Sequence, residues 1–241
     1  PLRGFVAPFD FLPLAEETGL IVAVDRWVMR EACRQMRVWQ ERFPHFASLT
    51  ISVNVTAQDF AQSDFITAID EVLRETGLPP ECLNLEITER AIIRNEARIK
   101  EIFAQLRARK IGLHLDDFGT GYSSLSYLHE FPLTTLKIDR TFVKQMGLNR
   151  KHREIVHTIV LLAKNLGMEL IAEGVETRED LHLLRRMKCE QAQGYFFARP
   201  LDAHSCAQWL EQRIGDPAFP EAETGVSHPT SPSHPDEKLL H

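Results

Sequence analysis

The sequence predicts a parallel α/β domain of the barrel kind, and three observations lead there. Short β-rich runs alternate with longer stretches of helical spacing along the chain. Each β-rich run ends in a polar or charged residue that a buried strand would otherwise avoid. In a parallel barrel such ends gather on the C-terminal rim, where active sites sit. The 241 residues suit one large barrel or about one and a half average domains.

Taken in order, the strand runs are Leu49 to Asn54, Leu83 to Ile87, Ile111 to Leu115, Thr134 to Ile138, Glu169 to Ala172 and Gln191 to Gly194. Between them lie helical segments such as Asp25 to Gln40, with Trp27, Val28, Ala32 and Met36 read as one face, and Glu154 to Leu166, with Ile155, Ile159 and Leu162 similarly spaced. The runs fall about two strands short of a closed eight-stranded barrel. The chain also opens at Pro1 in a stretch that reads as the middle of a domain, so upstream residues are expected. Beyond about residue 214, Pro217, Pro220, Pro229, Pro232 and Pro235 stand among Ser, His and Asp, which predicts a disordered tail over 214–241 behind a domain of residues 1–213. His228, His234 and His241 are too sparse there to form a metal tract.

Composition removes several function classes. Lys plus Arg is 28 against 34 for Asp plus Glu, a net charge of −6 that argues against a duplex nucleic-acid binder. The longest apolar runs are only short stretches such as Ile159 to Ala163, which excludes a membrane-spanning helix in these residues. Cys33, Cys82, Cys189 and Cys206 are widely spaced, which fits reduced thiols better than a zinc site or a disulfide framework. With no export leader in view, a cytoplasmic location is expected.

The strand ends read Asn54, Glu86, Asp116 with Asp117, Lys137 with Asp139, Glu173 with Glu176, and Gln193. Asn54, Glu86, Asp116 and Asp117 make a hard oxygen donor set suited to Mg²⁺ or Mn²⁺. Adjacent desolvated carboxylates repel, a divalent cation relieves this, and one Asp can bridge two ions. The following loop, Phe118, Gly119, Thr120, Gly121, Tyr122, Ser123, combines glycines with hydroxyls that can reach phosphate or cap a helix. Lys137 on a buried strand needs a counter-charge, either Asp139 or Glu86 in a structural pair or an anionic ligand.

Six motifs together resemble one family: Ser-Val-Asn at 52–54, Leu-Glu-Ile-Thr-Glu at 85–89, Asp-Asp-Phe-Gly-Thr-Gly-Tyr-Ser-Ser at 116–124, Leu-Lys-Ile-Asp-Arg at 136–140, Ala-Glu-Gly-Val-Glu at 172–176 and Gln-Gly-Tyr at 193–195. They look like the motifs of EAL domains, in order, from residue 1 to about 212. The resemblance implies a TIM-type (β/α)8 barrel lacking its first one or two strands here. It implies a phosphodiesterase that hydrolyses the bacterial second messenger cyclic di-GMP to linear pGpG with one or two Mg²⁺ or Mn²⁺ ions. Carried over by position, Asn54, Glu86 and Asp116 are metal ligands, Asp117 and Glu173 serve a second metal, and Lys137 holds the attacking water. Glu173 is also a general-base candidate, and Gln193, Glu176 and Asp139 are substrate-side or supporting residues. Glu89 with the 118–123 loop resembles the family's ordering switch, and a homodimer and an upstream sensory or GGDEF-type domain are further implications.

Two departures from the family pattern are visible. The name-giving Glu-Ala-Leu segment, which supplies another metal-binding Glu and an Arg, is absent from the 241 residues, so these residues alone are expected to lack turnover and the strands ending at Asn54 and Gln193 to have open edges. Arg90 stands where the family usually has a small hydroxyl residue, which is expected to alter how the switch loop is held. A receptor or interaction module that keeps the barrel without turnover, and a barrel enzyme for another phosphate ester, are the competing readings.

Overall fold

The computed structural model describes residues 4, 6–93, 96–119 and 125–214; the switch-loop positions Thr120, Gly121, Tyr122 and Ser123 and the tail from residue 215 lie outside them. Six parallel strands form one sheet in sequence order: β1 (Ile51–Val55), β2 (Leu83–Thr88), β3 (Gly112–Phe118), β4 (Thr135–Ile138), β5 (Glu169–Ala172) and β6 (Gln191–Ala192). β1 pairs only with β2, and β6 only with β5, so among the described residues the sheet does not close.

Helices precede and connect the strands. They are α1 (Pro8–Thr18), α2 (Ile21–Arg42), α3 (Ala57–Ala61), α4 (Phe65–Thr76), α5 (Glu89–Ile93), α6 (Glu96–Ala108), α7 (Leu125–Glu130), α8 (Arg140–Met146), α9 (Arg150–Asn165), α10 (Arg178–Arg186) and α11 (Ala203–Glu211). Several carry clear start signals: Thr56 with Asp59 and Thr177 with Asp180 form capping boxes, while Asp139, Asn149 and Asp202 cap with their own side chains.

Strand alternation sorts the chemistry onto two faces. Leu83, Leu85 and Ile87 of β2, Leu113 and Leu115 of β3, and Leu136 and Ile138 of β4 are buried in the main core with Ile69 and Val72 of α4, Phe103 and Leu106 of α6, and Val156 and Val160 of α9. Their neighbours in sequence, Asn84, Glu86, His114, Asp116, Thr135 and Lys137, occupy the opposite face. Lys137 on β4 reaches Glu86 on β2 at 2.7 Å across the intervening strand, which requires that face to be concave. A second cluster brings α11 against the segment after α2, with Ala207 and Leu210 packed on Phe43 and Phe46, so the two ends of the sheet are drawn round toward each other.

The helical faces shift from the sequence reading. In α2 the buried residues are Ile21, Met29, Cys33, Met36 and Gln40, and Trp27 and Val28 are exposed. In α9 they are Val156, Ile159, Val160 and Ala163, with Ile155 exposed. In each helix the apolar stripe is wider than the buried face, and packing against the sheet covers the positions a single residue further along. No described helix is long and apolar enough to cross a membrane.

Candidate active site

β3 builds the centre of the site. Its pairing with β4 breaks register between Leu115 and Phe118, and within that bulge Asp117 takes a left-handed backbone with φ 54°. The bulge lets both Asp116 and Asp117 turn toward the rim, where alternation alone would send them to opposite faces. The Asp117 amide then donates to Asp116 Oδ1 at 3.0 Å.

Lys137 is the hub. Its ammonium lies 2.7 Å from Glu86 Oε2, 2.7 Å from Glu173 Oε1 and 3.1 Å from Asp116 Oδ1, so its three N–H groups match three carboxylates. Burial to 2% exposure would pull the lysine down, yet the attraction of Glu86, the hydrogen bonds to Glu173 and Glu86, and the attraction of Asp116 outweigh this and hold it above its usual range. Asp139, one of the two partners foreseen for Lys137, does not pair with it. Its carboxylate caps α8 by accepting from the Thr141 amide at 2.9 Å and from the Thr141 hydroxyl.

Asp116, Asp117 and Glu173 bring one oxygen each within 4.8 Å of one another. Burial raises Asp117 above the ordinary carboxylate range, reinforced by Asp116 and then Asp139. Burial also raises Glu173, against the hydrogen bond and charge of Lys137. Gln193 Nε2 donates to Glu173 Oε1 at 2.6 Å and fixes that carboxylate from the β6 side. Glu86, Asp116, Asp117 and Glu173 face one lysine, and this excess of hard anionic oxygens is what a divalent cation neutralises; the donor set therefore fits Mg²⁺ or Mn²⁺.

The remaining predicted residues are placed as follows. Asn54 is in register with Glu86 and lines a cleft of about 680 Å³ with Glu89, Arg90 and Asp117. Glu89 accepts from the Gly119 amide at 3.1 Å, and Phe118 is buried just before it. Gly119, at φ +95°, has the Phe142 ring 2.7 Å from where a Cβ would stand, so only glycine fits there. The Glu89–Gly119 bond forms with Arg90 next in sequence, while the rest of the loop it was expected to affect lies outside the described residues. Glu176 stands off from the cluster, paired with Lys144 at 2.6 Å on the exposed rim.

Two groups were not foreseen. His114 lies on the same face of β3 as Asp116, 7% exposed, with Nδ1 unpartnered; burial and then the charge of Lys137 push it down to about 4, so it is a neutral floor to the lysine. Its signal was the two-residue offset from Asp116 on a strand. Asp25 borders the cleft and is raised to about 8 by burial and by its contact with Asp59. Nothing in the sequence joins two aspartates so far apart.

An open parallel sheet curled to a concave face, with a carboxylate and lysine cluster at the strand ends, is the arrangement of a barrel-rim site whose oxygens suit a divalent cation. The particular family follows from comparison: residues 1–200 match the EAL domain, and the chain belongs to that family. It is 41% identical over 203 residues to the bifunctional diguanylate cyclase/cyclic di-GMP phosphodiesterase MucR of Pseudomonas aeruginosa, covering 84% of this chain and 29% of MucR. It is 34% identical over 212 residues to the cyclic di-GMP phosphodiesterase PA2567 of the same organism, covering 88% of this chain and 36% of that protein. Among solved structures, the PaMucR phosphodiesterase in complex with c-di-GMP superposes with a TM-score of 0.80 at 41% identity, covering 86% of this chain and 83% of that one. The chain thus spans between a quarter and just over a third of the curated relatives' length.

Proposed function

We propose that this domain is a metal-dependent phosphodiesterase that hydrolyses cyclic di-GMP to linear pGpG. The observation that carries the reading is the cluster in which Lys137 is held by Glu86, Asp116 and Glu173 beside Asp117, on the rim of a family whose relatives bear that activity in their names.

In this reading Asn54, Glu86 and Asp116 hold one Mg²⁺ or Mn²⁺, and Asp117 and Glu173 hold a second. The metal supplies Lewis acidity toward the phosphate and lowers the pKa of water. On substrate binding one of the three Lys137 N–H groups would pass from its carboxylate to the attacking water, and the ammonium would offset charge that builds on the phosphate oxygens. Glu173, raised by burial, accepts the water's proton, and Gln193 keeps its oxygen aimed. Glu89 fixes the start of the loop after Asp117 through Gly119, and Asp139 and Glu176 support the rim by capping α8 and pairing with Lys144. The same reading takes residues 1–213 as the barrel domain and 214–241 as a tail, in a cytoplasmic protein that pairs with a second copy and carries a sensory or GGDEF-type domain.

Chromatography of cyclic di-GMP incubated with Mn²⁺ tests this. The 241 residues are expected to bind the dinucleotide without turning it over. The same chain extended at its N-terminus by a strand carrying Glu-Ala-Leu is expected to form pGpG, and EDTA or D116N to abolish it. Tight binding with no hydrolysis by the extended chain would make the domain a receptor, and absence of binding would overturn the substrate.

A further inference from the structure

The cleft over the ends of β1, β2 and β3 is lined by four acidic side chains, Glu16, Asp25, Glu89 and Asp117, and among the described residues by one cation, Arg90. Such walls repel an anionic ligand except where a cation intervenes. Arg90 is exposed, yet among the described residues its guanidinium takes no ion pair or hydrogen bond, although acids lie on the same wall. Some exposed arginines elsewhere find acids, Arg26 meeting Asp64 at 2.6 Å and Arg30 meeting Glu75 at 3.0 Å; others, such as Arg74 and Arg107, stand without one as Arg90 does, but outside this cleft. Arg90 is thus left with its planar fork of donors free inside a substrate-sized cleft, the geometry suited to bidentate capture of a phosphate.

We infer that Arg90 is a specificity-determining residue that binds a phosphodiester group of the substrate in this cleft. The inference rests on the cyclic di-GMP reading and deepens it. A cyclic dinucleotide carries two phosphodiesters, and only one can lie against Lys137 and the carboxylate cluster. The other then lies in a cleft whose lining is apolar, neutral polar or acidic apart from one cation among the described residues, Arg90. Because the side chain is exposed and unpartnered, its replacement costs the fold little.

Equilibrium binding of cyclic di-GMP to the 241-residue chain, measured by calorimetry with Ca²⁺ in place of Mg²⁺ to withhold turnover, tests this at about 50 and 200 mM salt. R90T is expected to weaken binding about five- to tenfold at low salt, the size of one partly exposed charge-assisted contact. Its affinity should also fall less steeply with salt than that of the wild type. R90K should retain some of the affinity and most of the salt dependence, and melting temperatures should agree within about 2 °C. An R90T protein that binds as tightly as the wild type, with the same salt dependence, overturns the assignment of Arg90 alone. Absence of binding by the wild type overturns the substrate reading, and the assignment with it.

Discussion

Replacing Lys137 by methionine keeps the unbranched stem, one heavy atom shorter, and removes its charge. Each of the three N···O contacts, at 2.7 to 3.1 Å, corresponds to about 5–6 kcal/mol of Coulomb attraction at an effective dielectric of about 20. Most of that is consumed by desolvation in the intact cluster, but the carboxylates left behind in the variant have no such offset. Removing one partner of a buried ion pair typically costs about 3–5 kcal/mol, and K137M should lose about that much. For a domain of this size the melting temperature should fall by roughly 6–20 °C in EDTA. Mn²⁺ should return much of the loss, because a divalent cation can sit among the same oxygens, and the rise on adding metal should be larger in K137M than in the wild type. Thermal unfolding followed by circular dichroism with EDTA and with saturating Mn²⁺ measures both. A K137M protein that melts within about 2 °C of the wild type in EDTA would refute the idea that Lys137 balances the cluster.

Three further outcomes follow from the geometry. D116N and E173Q should each weaken Mn²⁺ binding at least about tenfold by calorimetry, since each removes an anionic oxygen from the trio within 4.8 Å. D25N should raise the melting temperature above wild type, by less at pH 5 than at pH 9. Asp25 titrates near 3.8 unfolded and about 8 folded, so its protonated form contributes stability that is fully present below 3.8 and is lost as pH rises through 8, when it repels Asp59. G112A should destabilise by about 1–3 kcal/mol in urea unfolding, because its Cβ would stand 2.1 Å from Asn84 Oδ1 on the packed inner face of β2.

The strands were legible because their signal is local. Glu169–Ala172 was read at its observed limits, and β2 and β4 differ from the reading by one residue at one end. β3 runs three residues past the predicted Leu115, since its last positions carry aspartates instead of apolar residues and the bulge that accommodates them depends on β4. The rim acids were legible as types at strand ends; who touches whom was not. Asp139 and Glu86 were equal candidates for Lys137, and only the curl of the sheet, which brings β2 and β5 within reach of β4, selects Glu86, Asp116 and Glu173. Once excluded, Asp139 takes the local role its spacing to Thr141 allows. The Asp25–Asp59 contact and the Phe142 ring over Gly119 were likewise hidden, because they join segments with no shared period or motif.

The most direct test of a divalent metal centre held by Asp116, Asp117 and Glu173 is anomalous diffraction from a crystal of this chain grown with Mn²⁺. Anomalous density, from one ion or two, is expected within direct coordination distance of an oxygen from each of these three residues, adjacent to Lys137. Saturating Mn²⁺ with no peak there, or with peaks only at surface carboxylates, would contradict such a centre.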